Sequence, residues 1–420
     1  MALTTEATLD LTSYAAAIKQ YYRNIDFTQV IYKKFPWLGM VQKDTDWVGS
    51  PLVQPVAFAT VPSRSAVFAT AQSLAGSSQQ VAFKVTTVKD YSLAYIDRET
   101  MLASKSDEGA WLKAATHEID MALKESSKSL GFGVIGDGSG VIGTISSTST
   151  TGTTQITLSD VRQSVNFQVN DSLQVVAPGT SVAGLWASAV RAGTAVVLNS
   201  VNRQTGVLTA TGNWNASMAA AAGDGIVKNG DFNNKISGLG AWLPLVAPGT
   251  GDSFFGVNRS SDTRLSGVYI DGRGMPLEES AILGAANIAQ EGGSPDLYLV
   301  NYGNWVNIIN ALQAKKIYNR EGTVKAEGAD IGYSSVQIEG PTGPIDLVAD
   351  AMIPSNVGYM LSRENWCLHS RGEAPQIFDI DGEAGQLLRQ ATADAYEVRT
   401  GAYLNLVCEA PGWSGVIQLR

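Results

Sequence analysis

One uninterrupted helical pattern constrains this chain more than any other feature. Ser106-Asp107-Glu108 supplies a cap and an acidic first turn. Trp111, Leu112, Ala115, Ile119, Ala122 and Leu123 then form one apolar stripe at helical spacing. Gly131 and Gly133 are the expected stop. The predicted helix runs about 25 residues, or roughly 37 Å at about 1.5 Å per residue. His117 falls within it, where a lone histidine is expected to be a surface residue and not a ligand.

What precedes the helix is extended. Residues 1–50 read as an arm with one helix, in which Tyr14, Ala17, Ile18, Tyr21, Tyr22 and Ile25 recur at spacings of three and four. An arm this aromatic is a liability in water and should dock on its own body or on a neighbour. Residues 51–97 read as two long strands, Val53 to Phe58 and Val81 to Tyr95, rich in β-branched and aromatic residues. Between them lies a flexible tip that includes Ser73-Leu74-Ala75-Gly76-Ser77-Ser78. A projecting hairpin without its own core is marginal alone. It is expected to lie across another subunit.

After the helix the pattern switches. In residues 144–229, Ser and Thr dominate at first and charges thin out. Short alternating runs follow at Thr154 to Leu158, Ser172 to Val176 and Ala195 to Leu198. Ser200-Val201-Asn202-Arg203, a turn at Gln204-Thr205-Gly206, and Val207-Leu208-Thr209-Ala210 signal a hairpin. A last strand is expected at Ile226-Val227-Lys228. This is a separate small all-β module, a barrel or compact sandwich. Its ends, near Gly143 and Gly230, are glycine-rich, as suits an insertion. Two helices follow, one from Leu277 to Ala289 and one from near Tyr302 through Trp305, Ile308, Ile309 and Leu312. Leu297-Tyr298-Leu299-Val300 between them reads as a buried strand. Further strands are expected at Ser335 to Ile338, at Ile345 to Val348 beyond a Gly340-Pro341-Thr342-Gly343-Pro344 turn, and at Val357 to Leu361. The last ones are expected around Glu397-Val398-Arg399 and from Ala402 to Val407. The mixture makes the fold class α+β.

Composition narrows the function. A chain of 420 residues can bury two or three cores. It is 44% hydrophobic and 16% charged, the latter below the roughly 25% of an ordinary soluble domain. With 43 Gly, that suits either a protein burying surface against copies of itself or simply a glycine-rich β protein. The net charge of −9 argues against a dedicated nucleic-acid binder. Between Leu11 and Lys43, Lys19, Arg23, Lys33, Lys34 and Lys43 face one acid, Asp26; a solvated basic face accounts for that. The two cysteines, Cys367 and Cys408, form no disulfide framework and read as buried small hydrophobes. The start, Met1-Ala2-Leu3-Thr4-Thr5, has no secretory pattern, and no apolar run is long enough to span a membrane.

Candidate chemistry is thin. Gly136-Asp137-Gly138-Ser139-Gly140 lacks the Lys-Ser/Thr ending of a phosphate loop and reads as a turn. Asp379-Ile380-Asp381-Gly382-Glu383 lacks calcium-loop spacing. With only His117 and His369, a nucleophile–histidine site has few ways to exist. Cys367 and His369 lie two apart on an expected strand and so share a face, but no spaced partners complete a zinc site. Glu278-Glu279 sits in a helix's first turn, where the dipole explains it. No catalytic residue, cofactor-binding residue or metal ligand is assigned.

The order of arm, long hairpin, long helix, Gly136-Asp137-Gly138-Ser139-Gly140 turn, β insertion and two-helix domain spans nearly the whole chain. Within it lie Gly230-Asp231-Phe232, Lys235 to Pro244, Phe254-Phe255-Gly256-Val257-Asn258-Arg259, Tyr298-Leu299-Val300-Asn301, Ala349-Asp350, Leu387 to Arg399 and Ala410-Pro411-Gly412-Trp413. In this order these segments resemble the HK97-like major capsid proteins of tailed double-stranded-DNA bacteriophages. The resemblance implies an N-terminal arm at 1–50, an extended β-hairpin loop at 51–97 and a peripheral domain with its spine helix at 98–143. It implies an inserted all-β domain at 144–229, displayed outside the shell, and a continuation of the peripheral domain at 230–275. An axial domain at 276–385 and return strands of the peripheral domain at 386–420 complete it.

The function so implied is a non-enzymatic one: pentamers and hexamers of one chain build the icosahedral head around the genome. The partners are the chain itself, scaffolding, portal and decoration proteins, and packaged DNA held by weak non-specific contact, with no membrane. The place is the virion shell, assembled in the host cytoplasm. An arm that starts near Met1 implies no fused scaffold. Some members cross-link a hairpin lysine; Lys84, the nearest here, falls on a strand and not at the tip, so that chemistry is not carried over. The alternative is a carbohydrate- or surface-binding β-rich virion protein, which would need exposed aromatics clustered in the 144–229 module. Phe167, Trp186 and Trp214 are those it has.

Overall fold

The computed structural model describes residues 35–97, 108–147, 152–179, 186–313, 323–326, 329–334, 336–378, 388–389 and 394–419. The arm helix expected between Tyr14 and Ile25, the cap at Ser106-Asp107 and the Asp379 to Glu383 run lie outside them. So do the side chains of Trp111, Leu112, Ala115 and His117.

Helix α1 (Pro36–Met40) and strand β1 (Gln42–Asp44) come first. Strands β2 (Leu52–Ala59) and β3 (Gln79–Val85) form a hairpin with helix α2 (Phe68–Ser73) at its tip, and β4 (Val88–Asp97) follows two residues later. The long helix α3 spans Glu108–Gly133. The next stretch holds β5 (Val141–Thr144), β6 (Gln155–Thr157), β7 (Ser172–Pro178), β8 (Trp186–Val190), β9 (Val196–Asn202), β10 (Val207–Ala210), α4 (Trp214–Met218) and β11 (Gly225–Lys228). Then come α5 (Leu239–Trp242), β12 (Val268–Asp271), α6 (Leu277–Gln290), β13 (Leu297–Val300) and α7 (Tyr302–Gln313). The remaining strands are β14 (Thr323–Ala326), β15 (Ala329–Ser334), β16 (Val336–Gly340), β17 (Gly343–Ala349), β18 (Val357–Leu361), β19 (Trp366–Ser370), β20 (Gln376–Ile377), β21 (Leu388–Arg389), β22 (Ala395–Cys408) and β23 (Gly415–Gln418).

Three sheets organise these elements. In the first, β22 is the axis. Thr400 and Gly401 pair at once with β20 and with β4, so those strands flank β22 on opposite edges. β19 and β21 lie on the β20 side, because Leu404 and Glu397 also pair with β4. β1 adds outside β19 in parallel. Helix α3 packs across β4 and β22. The second sheet runs β5-β11-β7-β9-β10-β6. An Ile145↔Leu158 bridge and two backbone bonds, Ser146 N–H to Thr157 O (2.8 Å) and Ser159 N–H to Thr144 O (2.9 Å), join its ends into a barrel. The barrel has its own core, with Phe167, Leu173, Leu198, Leu208 and Trp214 fully buried. Its entry and exit strands, β5 and β11, pair with each other. The third sheet, β12-β23-β18-β13-β17-β16, carries α6 and α7 and a third core.

Several local expectations are corrected by packing. The run from Val81 to Tyr95 is not one strand. It breaks at Thr86-Thr87, where Thr86 O accepts from the Asn405 amide at 2.8 Å; β3 stays with the hairpin and β4 crosses to β22. The hairpin tip holds the helix α2. The two final strands are a single 14-residue strand, β22. Helix α3 does end at this glycine pair, running through Gly131 and finishing on Gly133. A Cβ at 131 would lie 2.6 Å from the Phe35 ring, and one at 133 would lie 3.1 Å from Ile236. These glycines let neighbours approach the helix closely. β19 and β20 belong to the sheet of β4 and β22, while β23 enters the third sheet beside β12 and β18. Helix α4 and strand β8 had no sequence signal that we recognised.

Candidate assembly interface

The hairpin is fastened at its base and open at its tip. Phe83 and Val85 on β3 are fully buried. The Phe83 ring lies 5.1 Å from Trp242 and 6.2 Å from Phe254, within an aromatic group that Trp366 and Trp37 extend. Two hydrogen bonds add direction: Lys84 N–H donates to Phe255 O at 3.0 Å, and the Arg264 guanidinium donates to Phe58 O at 2.8 Å. Beneath them, buried Arg259 meets Asp252 (2.8 and 3.2 Å), donates to Ala241 O and sits over the Phe254 ring. Toward the tip the burial ends. Helix α2 has no buried residue, and Phe68 is 80% exposed, with Val61, Val67 and Leu74 exposed beside it. A two-stranded ribbon has no second layer in which to hide such side chains. Its tip is an apolar patch left in solvent.

The barrel meets the rest of the chain through polar contacts. Lys228 on β11 is paired with Glu125 on α3 and with Asp171 at 3.3 Å, and Gln168 donates to Glu125 at 2.7 Å. Burial pulls the Lys228 ammonium down, but Glu125 and Asp171 outweigh it and hold it above its ordinary range. Burial likewise pushes Glu125 up, and Lys228 and Lys128 more than reverse this. Lys128 donates to Asn166 O at 3.1 Å, Ser355 to Asp160 at 2.6 Å, and the Trp186 indole to Asp137 at 3.2 Å. Around these contacts is a cavity of about 450 Å³ between barrel, α3 and the Met352 to Val357 turn.

No family model matches this sequence, and no curated protein matches it. The structure is similar to a chain of the cyanophage A-1(L) capsid asymmetric unit, with 12% identity, a TM-score of 0.47 and 92% of each chain covered. It is similar to a chain from Mycobacterium phage Adephagia at 11% identity and TM-score 0.40, covering 91% of this chain and 89% of that one. It is also similar to the capsid of an empty GTA particle at 6% identity and TM-score 0.40, covering 100% of this chain and 94% of that one.

Cys367 and His369 do share a face of β19, half-buried. His369 Nδ1 is 3.0 Å from Asp44 Oδ2 on β1 and its ring meets Trp47 edge-on. Burial pushes the Cys367 thiol up to about 11, the reverse of activation. Cys408 is fully buried, and burial raises its thiol further. The Gly136 to Gly140 run is a turn whose Asp137 accepts from Ser139 N–H at 3.0 Å. Glu278 and Glu279 occupy the first turn of α6. Among the described residues, no group of three or more His, Cys, Asp or Glu could hold a metal, and no helix is long and apolar enough to cross a membrane. Phe167 and Trp214 are barrel core, and the Trp186 ring packs on Gly225; they do not form an exposed aromatic cluster. Sequence reasoning located the hairpin but missed Phe68 and Val67. Their signal was an apolar pair inside a small-residue tip, which no periodicity marks.

Proposed function

We propose that this chain is a shell subunit, the major capsid protein of a tailed double-stranded-DNA phage, working through contacts between copies and not through catalysis. The observation that supports this best is the hairpin: its base is fixed by the aromatic core and two hydrogen bonds, while its apolar tip is left in solvent. Such an element gains its second layer only from a neighbour. When each copy both offers a tip and receives one, a head-to-tail interface is generated, and such interfaces close into rings when the rotation allows. Pentamers and hexamers joined in this way would form the icosahedral head. The inner wall need not grip the genome; a net charge of −9 favours weak, non-specific contact with DNA. In this reading scaffolding, portal and decoration proteins are further partners, and the virion is where the chain ends up after assembly in host cytoplasm.

The test is to purify the chain and follow it by sedimentation and negative-stain microscopy across a hundredfold concentration range. Rings of five and six, or closed shells, are expected. A monomer at every concentration, indifferent to truncation of Phe68, would overturn the reading.

A further inference from the structure

Among the described residues, β4 offers the longest unpaired strand edge. Its ten residues pair with β22 on one side only. Which backbone groups point outward can be worked out. Arg399 O accepts from Phe378 N–H at 2.9 Å and Tyr403 O accepts from Arg371 N–H at 2.8 Å, both on the β19–β20 side of β22. Arg399 and Tyr403 therefore turn their backbone groups away from β4. Their register partners Leu93 and Lys89 form non-hydrogen-bonded pairs with them and turn their own groups away from β22. Odd-numbered positions of β4 thus present N–H and C=O to the open edge. Such an edge is a template for another strand.

The same positions carry an exposed face. Tyr91, Leu93 and Tyr95 are 52%, 57% and 50% exposed, on the face opposite the one where Ala94 is buried. Lys89 is exposed at the next position of that series. Counted outward from Leu93, the sequence is symmetric in shape and opposite in charge: Tyr91 and Tyr95, then Lys89 and Asp97. A strand of this kind complements itself when reversed.

We propose that two copies of this chain join edge to edge through β4, antiparallel, with Leu93 opposite Leu93, Tyr91 opposite Tyr95 and Lys89 opposite Asp97. Every one of these pairs falls on outward-pointing backbone, so each is a hydrogen-bonded pair. Cross-strand aromatic, aliphatic and opposite-charge pairs are the contacts that stabilise a sheet. Centring the pairing on Ser92 or Ala94 instead sets Lys89 or Asp97 against tyrosine, which selects the Leu93 register. The two-fold axis stands perpendicular to the sheet. It places both tyrosine faces on one side and both α3 helices on the other, in an isologous contact. This inference rests on the reading that copies associate, and it names a contact distinct from the hairpin tip.

The test is disulfide trapping. Leu93→Cys places two Cα atoms about 5.5 Å apart in this register, within the Cα separation that a disulfide spans. Tyr95→Cys sits about 14 Å from its counterpart, four residues away along the strand at about 3.4 Å per residue. Under mild oxidation, L93C is expected to give a covalent dimer on a non-reducing gel, and Y95C at least tenfold less. Adding K89D, which sets Asp against Asp97, is expected to cut the L93C dimer at least tenfold, and K89D with D97K to restore it. Folded L93C without dimer, equal trapping by Y95C, or a charge swap that fails to restore would overturn the pairing. Shells seen by microscopy without the L93C dimer would sink the pairing and leave the shell reading intact. The L93C dimer without shells would do the reverse.

Discussion

The barrel of residues 141–228 and the hairpin of residues 52–85 use the same antiparallel pairing and end in opposite states. In the barrel, strands close on one another, so no long edge remains and Trp214 and Phe167 fill a private core. In the hairpin, β2 and β3 have one partner each, and side chains are buried only where the ribbon meets Trp242 and Phe254. The barrel is held to its neighbours by replaceable polar contacts such as Lys228 with Glu125 and Asp171. The hairpin is held by its apolar base, and its tip is left over. What separates them is whether enough strands share one interior. The barrel has a core of its own; the hairpin tip has none.

The largest expected effect tests the barrel's independence. Trp214→Ala removes a fully buried side chain and should cost about 3–5 kcal/mol. Amide exchange should then quicken in β7 and β9 while β4 and β22 keep their protection. Loss of protection in both together would mean that barrel and body unfold as one unit.

A somewhat smaller effect separates the two kinds of buried carboxylate. In the barrel, Asp224 is fully buried against the Arg191 guanidinium, at 2.5 and 2.8 Å. In the body, Asp350 is equally buried and, among the described residues, accepts from the backbone N–H groups of Met352 (3.0 Å) and Trp37 (3.4 Å). Burial pushes Asp350 up to about 6, against about 3.9 in an unfolded chain. The folded body therefore holds this proton more tightly than the unfolded chain does. Its stability from this group should fall as pH rises from about 4 to about 6, by an amount on the order of 3 kcal/mol, and then level off. Denaturant midpoints of Asp350→Asn against the parent chain at pH 4, 5, 6 and 7 should show the slope removed. A parent curve flat over that window would argue against it.

The smallest effect on folding should come from the hairpin tip. Phe68→Ser changes a side chain exposed to 80% and should shift monomer stability by no more than about 0.5 kcal/mol. Association should weaken all the same. A large drop in the thermal midpoint would mean that the tip already has a partner within its own chain.

Much of this was legible in residue order. The hairpin of β9 and β10 forms where Gln204-Thr205-Gly206 turns, with Asn202 accepting from the N–H groups of Gln204 and Thr205 at 3.0 and 3.1 Å. The apolar run at Leu297 to Val300 is a fully buried strand, and the stripe from Leu277 is a helix. These signals are local, since side-chain period and turn chemistry act within a few residues. The continuity of β22 was not legible. Gly401 looks like a break, yet a Cβ there would meet the Phe378 ring at 2.6 Å and Asp90 O at 2.7 Å. That crowding comes from β20 and β4, far away in sequence.

Residue order alone marked the long helices α3, α6 and α7, the main alternating runs, and a β-rich stretch within an α+β chain. Packing settled that the module closes into a barrel, that β3 and β4 part at Thr86-Thr87, and which apolar side chains remain outside. The physical reason is that periodicity records which face of an element is apolar, whereas burial depends on what that face meets. Phe68 and Leu93 stay largely exposed among the described residues, and that shortage is what points to other copies.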